Sequence, residues 1–227
     1  MNDPYVYENG VLKNKLKIKN HEELRKAEAN IGFVKLINVD AVNIELFNEE
    51  IIKKIHKHIF EDIFDWAGEF RTVPLTKEEI VLPGCTIPYS EPKNIRKDLN
   101  ARLAHLNQIS WQNMSTKEIA DTFARQMALL WRVHPFRDGN TRTMLSFAYL
   151  YAKEHGFPFD IKTFTSELNR KYNESGQVVK YSIRDRFVLA SLDDEQYPEP
   201  QYLARVFYIA INKNHELNNE DNKPKSK

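Results

Sequence analysis

Apolar residues recur at helical spacing over most of this chain, and that pattern restricts the fold to a mainly helical one. The apolar faces of the three clearest runs are Leu46, Phe47, Ile51, Ile55, Ile59 and Ile63; Ile95, Leu99, Leu103 and Leu106; and Ile119, Phe123, Met127 and Leu130. Further helices are predicted at about 161–172, 178–192 and 199–213. We therefore expect an all-α fold for this chain of 227 residues.

Two of the helices carry end signals. Ser115 and Glu118 have the spacing of a capping box, which predicts that a helix begins beside Ser115. The run from Met144 to Ala152 is apolar on most sides and predicts a central buried helix, and Gly156 is placed to end it.

Residues 71–92 interrupt the helical pattern. They contain four prolines and one glycine, with β-favouring threonine, valine and isoleucine between them. This composition predicts a hairpin or an extended flap, and the prolines place it at an edge. An ordinary connecting loop explains the same pattern equally well.

Composition excludes several classes of protein. Lys and Arg number 33 and Asp and Glu number 32, so there is no charge bias toward DNA or an anionic membrane. Cys85 is the only cysteine, which rules out a disulfide framework and a cysteine zinc site. With no apolar run long enough to span a bilayer and no signal-peptide pattern, we expect a cytoplasmic protein. Residues 1–213 are predicted to form one domain, and 214–227 a polar, disordered tail.

A polar turn separates the two most apolar helices. Pro135 disfavours helical geometry at His134, so the first helix is expected to end there. Asp138, Gly139 and Asn140 form a turn signal, and the next helix is expected to start at about Asn140. Gly139 is the only glycine between Cys85 and His155, which suggests a backbone requirement.

The residues of this turn suit a nucleotide phosphate. A helix N-terminus offers unpaired N–H groups and partial positive charge, and Arg142 adds a forked donor. Asp138 would oppose an anion unless it held a cation, and Mg²⁺ bridging phosphates is the usual solution. His134 is the side chain here that takes a proton near neutral pH. Each residue alone has a structural explanation, as a cap or a helix end, and their conjunction on one loop favours function.

Other nucleotide and metal sites fit less well. The chain has neither G-x-x-x-x-G-K-[ST] nor G-x-G-x-x-G. His134 and Asp138 are four residues apart, but Pro135 and Gly139 prevent them from sharing a helix face. We interpret His56 and His58 as ordinary helix-surface or partly buried histidines.

The stretch "HPFRDGNTR" resembles the signature of Fic-domain proteins, H-P-F-x-[D/E]-G-N-[G/K]-R-x-x-R. "DPYVYENGVLKNKLKIKNHEEL" is similar to the start of such proteins, and "LFNEEIIKKIHKHIFEDIFDWAGEFRTV" to their helix before the flap. "YSIRDRFVLASLDD" resembles their helix after the catalytic one. The resemblance covers about residues 3–210.

The resemblance implies a helical bundle with a small β-hairpin flap. It also implies a protein adenylyltransferase, which moves AMP from ATP to a Tyr, Thr or Ser hydroxyl of a target protein and releases pyrophosphate. The flap, about 71–89, would bind the target backbone as an added strand. The chain lacks the family's inhibitory [S/T]-x-x-x-E-[G/N] motif, which leaves two alternatives open: restraint by a separate small antitoxin, as in the toxin–antitoxin class, and an unregulated or weak enzyme.

By motif position, His134 would be the base that deprotonates the target hydroxyl. Asp138 would bind Mg²⁺, and Phe136 would be a buried anchor of the loop. Asn140 would hold the α-phosphate, and Arg142 would lie on the β-phosphate side. The nucleotide-binding residues implied are Gly139, Asn140, Thr141 and Arg142.

Two positions depart from the motif. Thr141 stands where the family has glycine, or lysine in a branch that phosphorylates its targets. Leu145 stands where the second arginine would meet the γ-phosphate and pair with an inhibitory glutamate. These departures leave two alternatives to AMP transfer: the use of another nucleotide or phosphoryl donor, and a degenerate Fic fold that acts as a binding module.

Overall fold

The computed structural model describes residues 3–82, 84–192 and 199–212. Seven α-helices lie in these ranges: α1 (His21–Ile37), α2 (Glu49–Phe60), α3 (Ile95–Asn107), α4 (Thr116–Val133), α5 (Asn140–Glu154), α6 (Ile183–Ser191) and α7 (Gln201–Ile211). Three short 3₁₀ helices are Val39–Ala41, Pro92–Asn94 and Ile161–Glu167, and two strands are β1 (Lys171–Tyr172) and β2 (Val178–Lys180). The predicted tail, 214–227, lies outside the described residues.

Helix α4 is the centre of the bundle. It packs against α3, α5, α6 and α7, and its face of Phe123, Met127 and Leu130 is fully buried. The predicted capping box is confirmed, because the Ser115 side chain accepts from the Glu118 backbone N–H and the Glu118 side chain accepts in return. These contacts fix where α4 begins.

Helix α5 is buried on most sides, as predicted. Its residues from Thr143 to Ala152 are buried, apart from Tyr149. The chain turns away from the helix at Gly156, whose φ of +76° lies in the left-handed region that favours glycine. The two helices that flank the polar turn are therefore rigidly packed.

The predicted helices at 161–172 and 178–192 are too long. The first is a 3₁₀ helix that ends at Glu167, and the second begins only at Ile183. Between them β1 and β2 pair antiparallel, Lys171 opposite Lys180. The cause is turn chemistry: Gly176 has a φ of +80°, and the Asn173 side chain accepts from the Gln177 N–H.

The predicted fold class, all-α with one small hairpin, is confirmed, but the paired strands are β1 and β2. In the described parts of the flap segment before the 3₁₀ helix at Pro92, 71–82 and 84–91, the backbone is extended or turned and no strand is paired. The predicted β-hairpin of the flap is therefore not formed in these ranges, and their backbone fits both an extended flap and an ordinary connecting loop. Of the helices that the described residues form, none is both long and apolar enough to cross a membrane.

Candidate active site

The polar turn joins α4 to α5 through two left-handed residues. His134 ends α4 with φ 51° and ψ 58°, and Gly139 precedes α5 with φ 78°. A Cβ at Gly139 would lie 2.3 Å from a ring carbon of Phe60. Glycine is therefore required at position 139 for two reasons: the left-handed backbone conformation and the close approach of Phe60.

Asn140 holds the turn closed. Its Oδ1 accepts from the Phe136 N–H at 3.0 Å, and its Nδ2 donates to the Phe136 carbonyl at 2.8 Å. Phe136 is fully buried, as the resemblance implied for the anchor. Since both polar groups of the Asn140 side chain bond the loop, its backbone N–H is the group left to face an anion. That contact stays a prediction.

The first turn of α5 has no side-chain cap. Thr141 does not supply one, because its Oγ1 lies 2.9 Å from Nε1 of Trp131, which donates to it. The helical backbone at this position needs no glycine, so threonine fits where the family motif has glycine. The N–H groups of the first turn thus keep the partial positive charge that suits an anion.

His134 carries a free ring nitrogen into a pocket. Its Nδ1 lies 3.3 Å from the Trp131 carbonyl oxygen, which fixes the tautomer with the proton on Nδ1. Its buried Nε2 has no hydrogen-bond partner. Burial, followed by the nearby charges of Lys77 and Arg184, holds the pKa of His134 well below its usual value. The ring is therefore neutral, with the Nε2 lone pair available to take a proton.

Asp138 is ionised beside this histidine. Burial raises its pKa, but the charges of Lys77 and Arg142 and the Gly139 N–H outweigh burial, and the net shift is downward. Oδ1 accepts from that N–H at 2.8 Å. We see no group of three metal-ligating side chains in the described residues. A single carboxylate suits Mg²⁺ that is held mainly by substrate phosphates and water.

These residues line one cavity of about 220 Å³, which we call the loop pocket. It lies between the turn, the start of α5, the flap and α6. The residues that contribute charge or hydrogen-bonding groups are Lys77, His134, Asp138, Arg142 and Arg184. The structure thus brings together His134, Asp138, Gly139, Asn140, Thr141 and Arg142, which were all predicted from sequence.

Arg142 is held by a residue that the sequence did not reveal. Its Nη2 lies 2.6 Å from the carboxylate of Glu28 on α1, and its Nη1 donates to the Glu28 carbonyl at 3.3 Å. The guanidinium also lies over the Phe60 ring, 4.4 Å from the centroid. Burial, then the charge of Asp138, raises the pKa of Glu28. The sequence analysis predicted no helix over 21–37, and it gave no indication that Glu28 would contact Arg142.

His56 is a structural support of the turn, and its interpretation as an ordinary histidine was wrong. It is fully buried and stacks on Phe136 at 3.8 Å between centroids. Its Nε2 donates to the Asp138 carbonyl at 3.1 Å, and its Nδ1 accepts from the Gly68 N–H at 2.9 Å. Burial lowers its pKa to about 3, so it stays neutral. His56 positions Asp138.

Arg71 attaches the flap to the turn. Its Nε donates to the His134 carbonyl at 2.8 Å, and its backbone N–H donates to the Pro135 carbonyl at 2.9 Å. Its other nitrogens donate to the carbonyls of Val73 and Ser90, which lie at the two ends of the flap. One buried guanidinium therefore holds the flap beside the histidine.

Leu145 faces a different cavity. This α1–α5 cavity of about 590 Å³ is lined in part by Glu28, Gly32, Leu36, Leu145 and Phe164, and it shares Arg142 and Leu168 with the loop pocket. Leu145 is only 2% exposed. The position that carries the second arginine of the motif is thus part of an apolar wall.

Fold and site together define a helical protein with a neutral histidine beside an uncapped helix N-terminus and an ionised aspartate. The sequence model of the Fic/DOC family matches residues 46–152. This chain contains a Fic domain of that family over these residues, as the motif predicted.

Two curated relatives are named as protein adenylyltransferases. The chain is 32% identical over 161 residues to protein adenylyltransferase VbhT of Bartonella schoenbuchensis, a match that covers 70% of this chain and 32% of VbhT. It is 23% identical over 176 residues to the probable protein adenylyltransferase Fic of Escherichia coli, covering 77% of this chain and 84% of that protein. The chain thus spans about a third of the length of VbhT.

A solved structure shares the fold. The N-terminal Fic domain of a VirB-translocated Bep effector protein from Bartonella quintana, with bound ADP, aligns with a TM-score of 0.65 at 26% identity. The alignment covers 91% of this chain and 93% of that one. The helical bundle is therefore that of known Fic domains.

Proposed function

We propose that this chain is a protein adenylyltransferase that transfers AMP from ATP to a Tyr, Thr or Ser hydroxyl of a target protein. The observation that carries the proposal is the partnerless, buried Nε2 of neutral His134, a residue that lines the loop pocket beside the uncapped start of α5. The names of the curated relatives support this activity at the level of the family.

In this proposal the phosphates of ATP lie against the first turn of α5. The backbone N–H groups of Asn140, Thr141 and Arg142 have no side-chain cap and would donate to the phosphate oxygens. The fixed loop means that these donors need no rearrangement when charge develops on the phosphates. Gly139 permits the close turn on which their alignment depends.

Mg²⁺ would be held by Asp138, whose ionised carboxylate has one oxygen bonded to the Gly139 N–H and a second oxygen left for a cation. When bound, the metal ion neutralises phosphate charge. The hydrogen bond from His56 to the Asp138 carbonyl keeps this residue in place.

The transfer of AMP needs a base that accepts the proton of the target hydroxyl. Nε2 of His134 takes the proton of the target hydroxyl, and the hydroxyl oxygen forms a bond to the α-phosphorus of ATP. The bond between that phosphorus and the α–β bridging oxygen breaks, and its electron pair leaves with pyrophosphate. The low pKa of His134 keeps the ring unprotonated before the reaction.

The protein partner would dock on the flap, about 71–89, where the described backbone is extended and not paired in a sheet. A separate small antitoxin, which the family resemblance suggests, and a cytoplasmic location, which the sequence pattern suggests, are parts of the same proposal. Copurification of a small neighbouring gene product with the chain would test the antitoxin.

The proposal is tested with ATP labelled in different phosphates. Purified protein, Mg²⁺ and bacterial lysate are incubated with α-labelled or γ-labelled ATP. We expect labelled protein bands with the α-label alone, loss of the bands in His134→Ala, and retention in the matched control His105→Ala, which changes an exposed histidine of α3. Bands that survive His134→Ala would contradict the proposal.

A second candidate is transfer from a different donor at the same site. Leu145 favours it, because the wall of the α1–α5 cavity at this position is apolar where the motif has an arginine. Labelling with the γ-label instead of the α-label would indicate phosphoryl transfer. Unlabelled cytidine or uridine nucleotides can also be added as competitors. If they suppress the labelling more strongly than unlabelled ATP does, the donor is another nucleotide.

A further inference from the structure

The loop pocket is lined by three cationic side chains, and two of them are already neutralised. Arg142 pairs with Glu28 at 2.6 Å. Arg184 pairs with Glu79 through both terminal nitrogens, one of them at 2.6 Å. Both residues that supply the carboxylates are buried, and each carboxylate competes with any anion for its arginine.

Lys77 is the third cation, and it differs from the other two. It is half-buried on the flap and lines the pocket with His134 and Asp138. No hydrogen bond or ion pair joins its ammonium group to any other described residue. Burial lowers its pKa, against the opposing influence of Asp138. An ammonium group without a protein partner keeps its three N–H donors for water or for an anionic ligand.

The position of Lys77 complements the start of α5. The α5 N–H groups and Lys77 line the same cavity of about 220 Å³ from two different elements, the helix and the flap. An anion in that cavity would meet oriented dipoles from the helix and a full positive charge from the flap. The chain has no arginine at 145 to supply such a charge from α5.

We propose that Lys77 is a nucleotide-binding residue, and that its ammonium group donates to a phosphate oxygen of the nucleotide from the flap side of the loop pocket. This inference rests on the proposed function, since it assumes a nucleotide in that pocket. Because Lys77 lies on the flap, its contact with the phosphate would also fix the flap. Nucleotide binding would therefore order the surface on which the target protein docks.

Calorimetric titration with ADP and Mg²⁺ tests the assignment without turnover. We expect Lys77→Met to weaken ADP binding about 10-fold to 100-fold, the loss of one charge-assisted hydrogen bond. Lys77→Arg should keep most of the affinity. The matched control Lys97→Met, an exposed lysine of α3, should bind as the wild type does. Thermal denaturation of each variant reports separately on folding.

The competing assignment is that the phosphate-binding cation is Arg25, which lines the neighbouring α1–α5 cavity. We expect Arg25→Met to leave ADP affinity unchanged. If Arg25→Met weakens binding and Lys77→Met does not, the inference is overturned. If the wild type binds no ADP at all, the proposed function fails first, so the two failures are distinguishable.

Chemical footprinting of the wild-type protein tests the same inference without a variant, so its result does not depend on whether a variant folds. Lysines are acetylated with and without ADP and Mg²⁺, and the modified peptides are quantified by mass spectrometry. We expect nucleotide to slow modification of Lys77 several-fold and to leave Lys97 unaffected. Equal modification of Lys77 in both samples, when calorimetry shows that ADP is bound, would overturn the inference.

Discussion

Nη2 of Arg142 lies 2.6 Å from the carboxylate of Glu28, so an arginine of the catalytic motif is held by a helix far away in the sequence. Both terminal nitrogens of Arg142 are directed to Glu28, and its ring partner Phe60 fixes the guanidinium plane. Helix α1 therefore sets the charge available to a nucleotide in the loop pocket.

Glu28→Gln should release part of that charge. The variant keeps a side chain of the same size but removes a negative charge next to the pocket. We expect ADP to bind roughly fivefold more tightly, from a change of about 1 kcal/mol in electrostatic energy. Calorimetry measures this, with Glu22→Gln as the control on the exposed side of α1. Unchanged or weaker ADP binding would show that Glu28 does not compete for Arg142.

Gly139→Ala should damage the turn more than an equivalent change elsewhere. Its Cβ would lie 2.3 Å from the Phe60 ring in a left-handed backbone, whereas Gly156 has a similar φ of +76° and open space around it. We expect Gly156→Ala to cost about 1 kcal/mol of unfolding free energy, and Gly139→Ala at least about 3 kcal/mol. Urea denaturation compares them, and equal losses would contradict the steric account.

His56→Ala should destabilise the protein and loosen Asp138. The substitution removes the stack on Phe136 and two hydrogen bonds, of which the one from Gly68 is buried and the one to Asp138 is partly buried. We expect a loss of about 3 kcal/mol in unfolding free energy. His58→Ala is the matched control, because His58 is half-buried and has one hydrogen bond to a backbone carbonyl of α1. A similar loss in both variants would argue against a special role for His56.

Stability should fall in acid because His56 is buried in its neutral form. Its folded pKa of about 3 is below the usual 6.5, so between these values the unfolded chain binds a proton that the folded chain does not. The stability from neutral burial is complete above pH 6.5 and is lost as the pH falls toward 3. His134, whose pKa is also lowered, contributes in the same direction.

The pH effect is measured by urea unfolding at a series of pH values. We expect His56→Gln to show a shallower decline of unfolding free energy below pH 6.5 than the wild type does. Parallel declines in the two proteins would mean that His56 gains its proton without opposing the fold, contrary to the structure.

The turn between α4 and α5 could be predicted from sequence because its signals are local. Pro135 and Gly139 act on neighbouring residues, and the capping box at Ser115 acts within one turn of helix. The motif carries His134 and Asp138 on the same short stretch. Local signals of this kind do not depend on the rest of the fold.

The partners of the turn could not be predicted in the same way. Glu28 and Arg142 are 114 positions apart in the sequence, and His56 and Asp138 are 82 apart. Among the α1 side chains that the structure describes, few apolar ones are buried, and the sequence of α1 has no strong periodic pattern. The charge of Lys77 became informative only when the neighbouring arginines proved to be paired.

The hairpin of β1 and β2 was missed for a different reason. Asn173 and Gly176 form a turn whose signal is present in the sequence, but the apolar residues around it also fit a helical period. Turn chemistry prevailed there over periodicity.

The measurement that tests the central claim most directly is the mass of a target peptide after reaction with ATP and Mg²⁺. We predict that a tyrosine, threonine or serine gains the mass of one AMP group with the wild type and with His105→Ala, and gains nothing with His134→Ala. A gain of phosphate alone, or an AMP adduct that His134→Ala still forms, would contradict the claim that His134 activates a hydroxyl for AMP transfer.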